Sequence, residues 1–210
     1  MNVYDFDKTI YDGDSTLDFY KFCLKRHPSI LFLLPRQVCS AVLYKINVID
    51  KNKFKEAFFS FLQSVPDIDE EVFCFWNEHD KKIKNWYKKQ RQNNDIIVSA
   101  SPEFLLEEIC KRMNIKHLVA SIIDRRTGKL TGKNCYGEEK VNRLKKYMPD
   151  IKIHCFYSDS YSDAPVAHIS EKAYLVKDKA TTVVDWPHLD SETMKKVKEK
   201  IDTGWEIHLK

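Results

Sequence analysis

Short apolar runs recur along the chain at residues 2–5, 95–99, 117–121, 152–158 and 172–176. Between most of them apolar residues return at i, i+3 and i+4, the period of a helix with one buried face. Alternation of this kind predicts an α/β fold, a parallel sheet layered between helices. The gap between the first two runs is far too long for one crossover helix. Within it Leu17, Tyr20 and Leu24 share one predicted face, and Phe54, Ala57, Phe58, Phe61, Leu62 and Val65 follow the helical rule closely. Val72, Phe73, Trp76, His79, Ile83, Trp86 and Tyr87 form a third stripe, preceded by Asp67 and Glu70 at capping-box spacing. The pattern predicts a helical cap over residues 15–90, inserted after the first strand of a core made from residues 1–14 and 91–210. Residues 125–129 read as a hairpin turn in which Gly128 supplies a positive φ, and residues 190–201 as a Lys-rich helix outside the sheet.

The longest apolar stretch, residues 30–46, is interrupted by Pro35, Arg36, Gln37 and Lys45. It falls short of the ~20 clean apolar residues that cross a bilayer. It is therefore expected to belong to the cap, with contact to a membrane surface left open. An apolar share of 43% is ordinary for a globular chain of 210 residues, and a net charge of +4 does not call for nucleic acid. The basic residues between Lys81 and Arg91 read as the solvated face of a helix whose aromatics point inward. A strand starting at Asn2 leaves no room for a secretory leader. The six cysteines show no paired spacing and sit mostly in apolar surroundings, as reduced cytosolic thiols do. A cytoplasmic location is expected, while the oligomeric state is not legible. The histidines form no metal-binding pattern.

The candidate chemistry lies where strands end. Asp5-Phe6-Asp7-Lys8-Thr9 follows the first run. Carboxylates that close repel and lose solvation, so a strand end keeps both only if a cation or a reaction stabilises them. Ser99-Ala100-Ser101 closes the second run, Lys140 opens an amphipathic helix after Gly137, and Ser158-Asp159-Ser160-Tyr161-Ser162-Asp163 closes the fourth. Ligands of open parallel sheets bind at the carboxyl ends of strands, so these segments can meet in one crevice. In this order the motifs resemble the haloacid dehalogenase superfamily, closest to its phosphoserine-phosphatase-like subgroup, over nearly the whole chain.

The resemblance implies a Rossmann-like core with an inserted cap, and a phosphomonoester hydrolase working through an aspartyl-phosphate. It implies Asp5 as the nucleophile and Asp7 as the acid and base, a role suited to a carboxyl whose proton is held by a neighbouring acid. The Asp5 side chain and the Asp7 carbonyl are expected to hold Mg²⁺ with Asp159, and Asp163 to stand behind, an oxygen set that Mg²⁺ favours. Ser99, Lys140 and Thr9 are the candidate phosphate-binding groups. Thr9 reads equally well as a loop residue, and Lys133 competes with Lys140 by position. Ser101, before Pro102 and Glu103, is expected to cap a helix. The family writes Gly-Asp where this chain has Ser158-Asp159.

The same resemblance bears on substrate. Phosphoserine phosphatases grip the amine with an acid, near Asp14 here, and the carboxylate with a cap arginine, which falls by register near Phe61. No arginine lies in that stretch, so phosphoserine is disfavoured. The apolar cap also resembles that of bacterial phosphatidylglycerophosphate phosphatases, so the expected substrate is a small or lipid-like phosphate ester. A phosphotransferase and a non-catalytic binding protein of the same fold are the alternatives.

Overall fold

The computed structural model describes residues 1–177 and 182–187. At its centre a six-stranded sheet is ordered β3-β2-β1-β4-β5-β6. The strands are β1 (Asn2–Tyr4), β2 (Ile96–Pro102), β3 (His117–Ser121), β4 (Ile153–Ser158), β5 (Ser170–Lys177) and β6 (Thr182–Asp185). The first five run parallel, and β6 returns antiparallel beside β5. The five predicted strands are all present; β6 was not foreseen. The helix expected over residues 190–201 lies outside the described residues.

Alternation along the strands assigns the two faces. Val3 pairs with Ile96 and Phe156, and this row packs on Val141, Leu144 and Val166 of α7 (Glu138–Tyr147) and α8 (Ala164–His168). Tyr4 pairs with Ile97 and Tyr157 and faces the other way. Its ring stacks on Tyr157 with centroids 4.8 Å apart and meets Tyr87 edge-on at 4.9 Å. That second face is covered by α6 (Glu103–Arg112) and by helices from the long connection between β1 and β2.

The connection contains α1 (Ser15–Arg26), α2 (Leu34–Lys45), α3 (Lys51–Phe59), α4 (Ile68–His79) and α5 (Asn85–Gln90). Asp14, Asp50 and Asp67 cap α1, α3 and α4 by accepting backbone N–H groups of the first turn. The inserted helices share one continuous hydrophobic cluster with the sheet face. Trp76 of α4 illustrates the continuity: its Nε1–H donates to the Leu105 carbonyl at 2.7 Å.

The stripes differ from the sequence expectation in detail. In α1 the buried face is Phe19, Phe22 and Cys23, one position from the expected stripe, and Leu17 is exposed. In α4 Phe75 is buried and Phe73 faces solvent. The Phe-rich stripe also changes pitch: α3 ends at Phe59 and residues Ser60–Ser64 tighten into a 3₁₀ turn. The 125–129 turn packs there. Gly128 has φ +72°, and a Cβ on it would lie 2.3 Å from the Phe59 carbonyl oxygen, so only glycine fits.

Candidate active site

The strand order reverses at β1, which has β2 on one side and β4 on the other. A crevice opens outside the strand ends at such a switch point. Asp5 leaves β1 there and Asp159 leaves β4, while Ser99, expected at the end of its strand, lies midway along β2, which runs on to Pro102. A pocket of about 100 Å³ is lined by Asp5, Asp7, Lys8, Ser99, Ala100, Tyr136, Lys140, Asp159, Ser160, Ser162 and Asp163.

Lys140 is the centre of charge. Its Nζ lies 2.7 Å from Asp5 Oδ1 and 2.8 Å from Asp163 Oδ2, with all three groups buried. Burial alone would favour the neutral amine, but Asp163 and Asp5 overcome it and hold the lysine protonated. Gly137 makes this placement possible, since its φ of 58° with ψ −129° turns the chain into α7 through a region closed to side chains. Lys133 does not line the pocket; its carbonyl accepts a hydrogen bond from Arg143.

Desolvation raises the Asp5 carboxyl to about 6, against the pull of Lys140, with Asp163 adding repulsion. Asp159 is pushed to about 8 by burial and then by Asp5 and Asp163. Thr9 is fully buried behind the pocket wall. Its Oγ1 lies 3.3 Å from both Asp5 Oδ2 and Asp159 Oδ1 and accepts the Asp159 N–H at 2.9 Å. Thr9 therefore ties the β1 and β4 loops together and does not itself line the pocket. Ser158 also braces a loop, because its hydroxyl donates to Asp163 Oδ2 at 2.7 Å, a bond that a glycine could not make.

Asp7 is aimed from two sides. The N–H of Ser15, first residue of α1, donates to Oδ1 at 2.6 Å, and the Ser101 hydroxyl donates to Oδ2. Burial raises its carboxyl to about 7, with Asp14 adding repulsion, while the Ser101 and Ser15 bonds act in the opposite direction. Ser101 is thus not the helix cap that its sequence suggested. β2 continues through Pro102, α6 starts at Glu103 without a side-chain cap, and the hydroxyl is left for Asp7. Ser99 lines the pocket, and its Oγ accepts the Ser101 N–H at 3.1 Å.

A second cavity, about 420 Å³, shares Asp7, Ala100 and Tyr136 with the first. Leu17, Tyr44, Phe54, Phe58 and Phe59 form its apolar walls, and Asp14, Thr16, Lys51 and Lys55 its polar ones. Asp14 stands there as the α1 cap, accepting the Leu17 N–H at 2.9 Å. Phe61 does not reach the cavity. It is fully buried, with its ring against Phe19, Tyr20, Phe58 and Phe59. The residue that the sequence pattern did not reveal is Lys55. Its Nζ donates to the Ala100 carbonyl at 2.7 Å and to Asn134 Oδ1 at 2.6 Å, and burial, then Lys51, lower it to about 7.

Comparison with known proteins agrees with this architecture. The sequence model of the haloacid dehalogenase-like hydrolases matches residues 3–168. The protein CicA of Caulobacter vibrioides is 26% identical over 195 residues, covering 83% of this chain and 85% of its own. A protein of unknown function from Bordetella pertussis Tohama I superposes with a TM-score of 0.72 at 16% identity, over 98% of this chain and 96% of that one. A probable phosphoserine phosphatase from Vibrio cholerae superposes with a TM-score of 0.63 at 12% identity, over 95% of this chain and 66% of that one.

Proposed function

This chain belongs to the haloacid dehalogenase-like hydrolase family, and we propose that it is a Mg²⁺-dependent phosphomonoesterase acting through an aspartyl-phosphate at Asp5. The supporting observation is Lys140, a buried cation between Asp5 and Asp163 on the wall of a small acid-lined pocket. A dianionic phosphoryl group entering there meets a fixed positive charge beside its nucleophile, so the charge that builds during transfer is stabilised without reorganisation. An Asp5 carboxylate oxygen attacks phosphorus as the bond to the ester oxygen breaks. Asp7 gives its proton to the departing alkoxide. Asp7 then takes a proton from water as that water attacks the acyl phosphate, releasing inorganic phosphate and restoring Asp5. A carboxyl raised to about 7 can play both parts near neutral pH.

Among the described residues no group of three or more Asp, Glu, His and Cys side chains is arranged to hold a metal. Mg²⁺ needs less, since two carboxylates, a carbonyl and water satisfy it. The pocket gathers Asp5, Asp159 and Asp163 around one buried ammonium, and Asp163 Oδ1 is buried without a partner. This excess of negative charge fits a divalent cation. Asp5, Asp159 and the Asp7 carbonyl would hold it, with Asp163 behind, and it would screen the phosphoryl oxygens from the carboxylates.

The core would do this chemistry and the insertion would choose the ester. The larger cavity's apolar walls favour a substrate with an apolar body, either small or lipid-like, over phosphoserine. Lys55 adds an amine to that cavity, but Ala100 and Asn134 engage it, so it is not free to clamp a substrate carboxylate. The location belongs to the proposal too. All six cysteines are free thiols, as in a reducing cytoplasm, and among the described residues no helix is long and apolar enough to cross a membrane.

An aryl phosphate assayed with and without Mg²⁺ tests the reaction. Metal-dependent turnover is expected in the natural protein and none in Asp5→Asn. Full turnover in Asp5→Asn overturns the nucleophile, and no turnover in the natural protein overturns the enzyme. Added alcohol that captures the phosphoryl group in place of water would identify a phosphotransferase.

A further inference from the structure

Helix α2 is inside out. A surface helix normally buries its apolar stripe and shows polar residues to water. Here the only buried positions are polar, Gln37 and Ser40. The Gln37 amide accepts from the Tyr20 hydroxyl at 2.8 Å and donates to the Phe58 carbonyl at 3.0 Å, and Ser40 donates to the Gln37 carbonyl. Leu34, Ala41, Leu43 and Tyr44 are half-buried, and the other large apolar residues point outward. Val38, Val42 and Ile46, one helical turn apart, are 59%, 53% and 61% exposed, and Phe32 in the preceding turn is 88% exposed. With Leu31 and Val48, six of the eleven exposed large hydrophobic side chains fall within residues 31–48. A concentration like this on one element marks a surface that is covered in use.

Charge indicates what covers it. Residues 19–49 contain five Lys and Arg and no Asp or Glu, whereas the chain's formal net charge is +4 and the remainder therefore sums to −1. Arg26 is paired with Glu71. Arg36 and Lys45, at the two ends of α2, are exposed and have no carboxylate partner among the described residues. Apolar residues flanked by basic ones, on a helix far too short to span a bilayer, match the boundary between headgroups and acyl chains of an anionic leaflet. We propose that α2 and the turn before it dock this protein on an anionic membrane surface, with Phe32, Val38, Val42 and Ile46 inserted and Arg36 and Lys45 at the headgroups. The proposal does not depend on the phosphatase reading, because it is measured by binding.

The full chain should sediment with vesicles of phosphatidylcholine mixed with phosphatidylglycerol, weakly with phosphatidylcholine alone, and less as salt is raised. Val38→Asp combined with Val42→Asp should weaken partitioning by about tenfold or more. Both positions are exposed, so an unchanged thermal midpoint is expected to accompany the loss. Arg36→Glu with Lys45→Glu should remove the preference for the anionic vesicles. No binding to the mixed vesicles overturns the proposal, as does binding that the valine substitutions leave intact. A lipid-free dimer that those same substitutions dissociate would also overturn it, assigning the face to a second copy.

Discussion

The two cavities that meet at Asp7 are built on opposite terms. The smaller is polar, set where three parallel strands deliver their loops, and its Asp5, Asp7, Lys140, Asp159 and Asp163 side chains are each held by a neighbour. The larger is mostly apolar and assembled chiefly from α1, α2 and α3, with the basic side chains of Lys51 and Lys55 reaching in. Strand ends held by a sheet position groups within fractions of an ångström, as bond making at phosphorus demands. Helix faces packed by side chains can change their lining residue by residue without disturbing that geometry. The difference suggests that turnover depends on the first cavity and choice of ester on the second.

Lys140 should show the contrast at its strongest. Lys140→Met removes the charge between Asp5 and Asp163 while roughly keeping the volume. Turnover of every phosphate ester should fall about 10²–10³-fold, because in the proposed reaction the lost interaction acts on the phosphoryl group common to all of them. The kcat/KM values for an aryl and an alkyl phosphate should drop in parallel. Loss for one ester and not the other would mean that Lys140 touches the leaving group.

How far each cavity was legible follows from the same difference. The small one is drawn from a few short segments that follow or lie in the strands, so Asp5, Asp7, Ser99 and Asp159 could be placed from local pattern, although Ser99 lies inside β2 and not at its end. Ser101 was misread for a local reason. Ser-Pro-Glu has the composition of a capped helix start, but β2 runs on through Pro102 and leaves the hydroxyl to a partner 94 residues away. Thr9 and Ser158 act through contacts that no spacing announces. The large cavity was hardly legible. Lys55 reaches Ala100 across 45 residues, and a register counted along the stripe pointed to Phe61, because α3 gives way to a 3₁₀ turn after Phe59. The inversion of α2 was invisible for the same reason: periodicity shows that a helix has two faces, while packing decides which is buried.

Ser101 lies between the cavities and should give a smaller effect. In the proposed reaction Asp7 must carry a proton as the alcohol leaves, so the acid step weakens as pH rises through about 7. The Ser101 hydroxyl stabilises the carboxylate and so opposes the rise caused by burial. Ser101→Ala should therefore move the alkaline limb of the rate profile to higher pH and cost about tenfold at the optimum through poorer aim of Asp7. A limb that stays put, or moves to lower pH, would show that this carboxyl is not the group being titrated.

The smallest effects belong to the apolar cavity, and a pair of neighbouring phenylalanines separates lining from support. Phe58 faces the cavity and Phe61 packs behind it with no accessible surface. Phe61→Ala should destabilise the fold by ~3–5 kcal/mol, the usual result of emptying a buried aromatic site, with little preference among substrates in the protein that remains folded. Phe58→Ala should cost less stability, because Phe58 is only partly buried. It should instead raise KM severalfold for a phosphate ester with a long apolar body, leaving a short one such as phosphoserine nearly unchanged. The sign of that difference is informative. If Phe58→Ala improved phosphoserine turnover, the ring would be acting as a steric gate against polar substrates. If neither ester responded, the substrate would leave the phosphate pocket by another route, and the large cavity would have no part in selection.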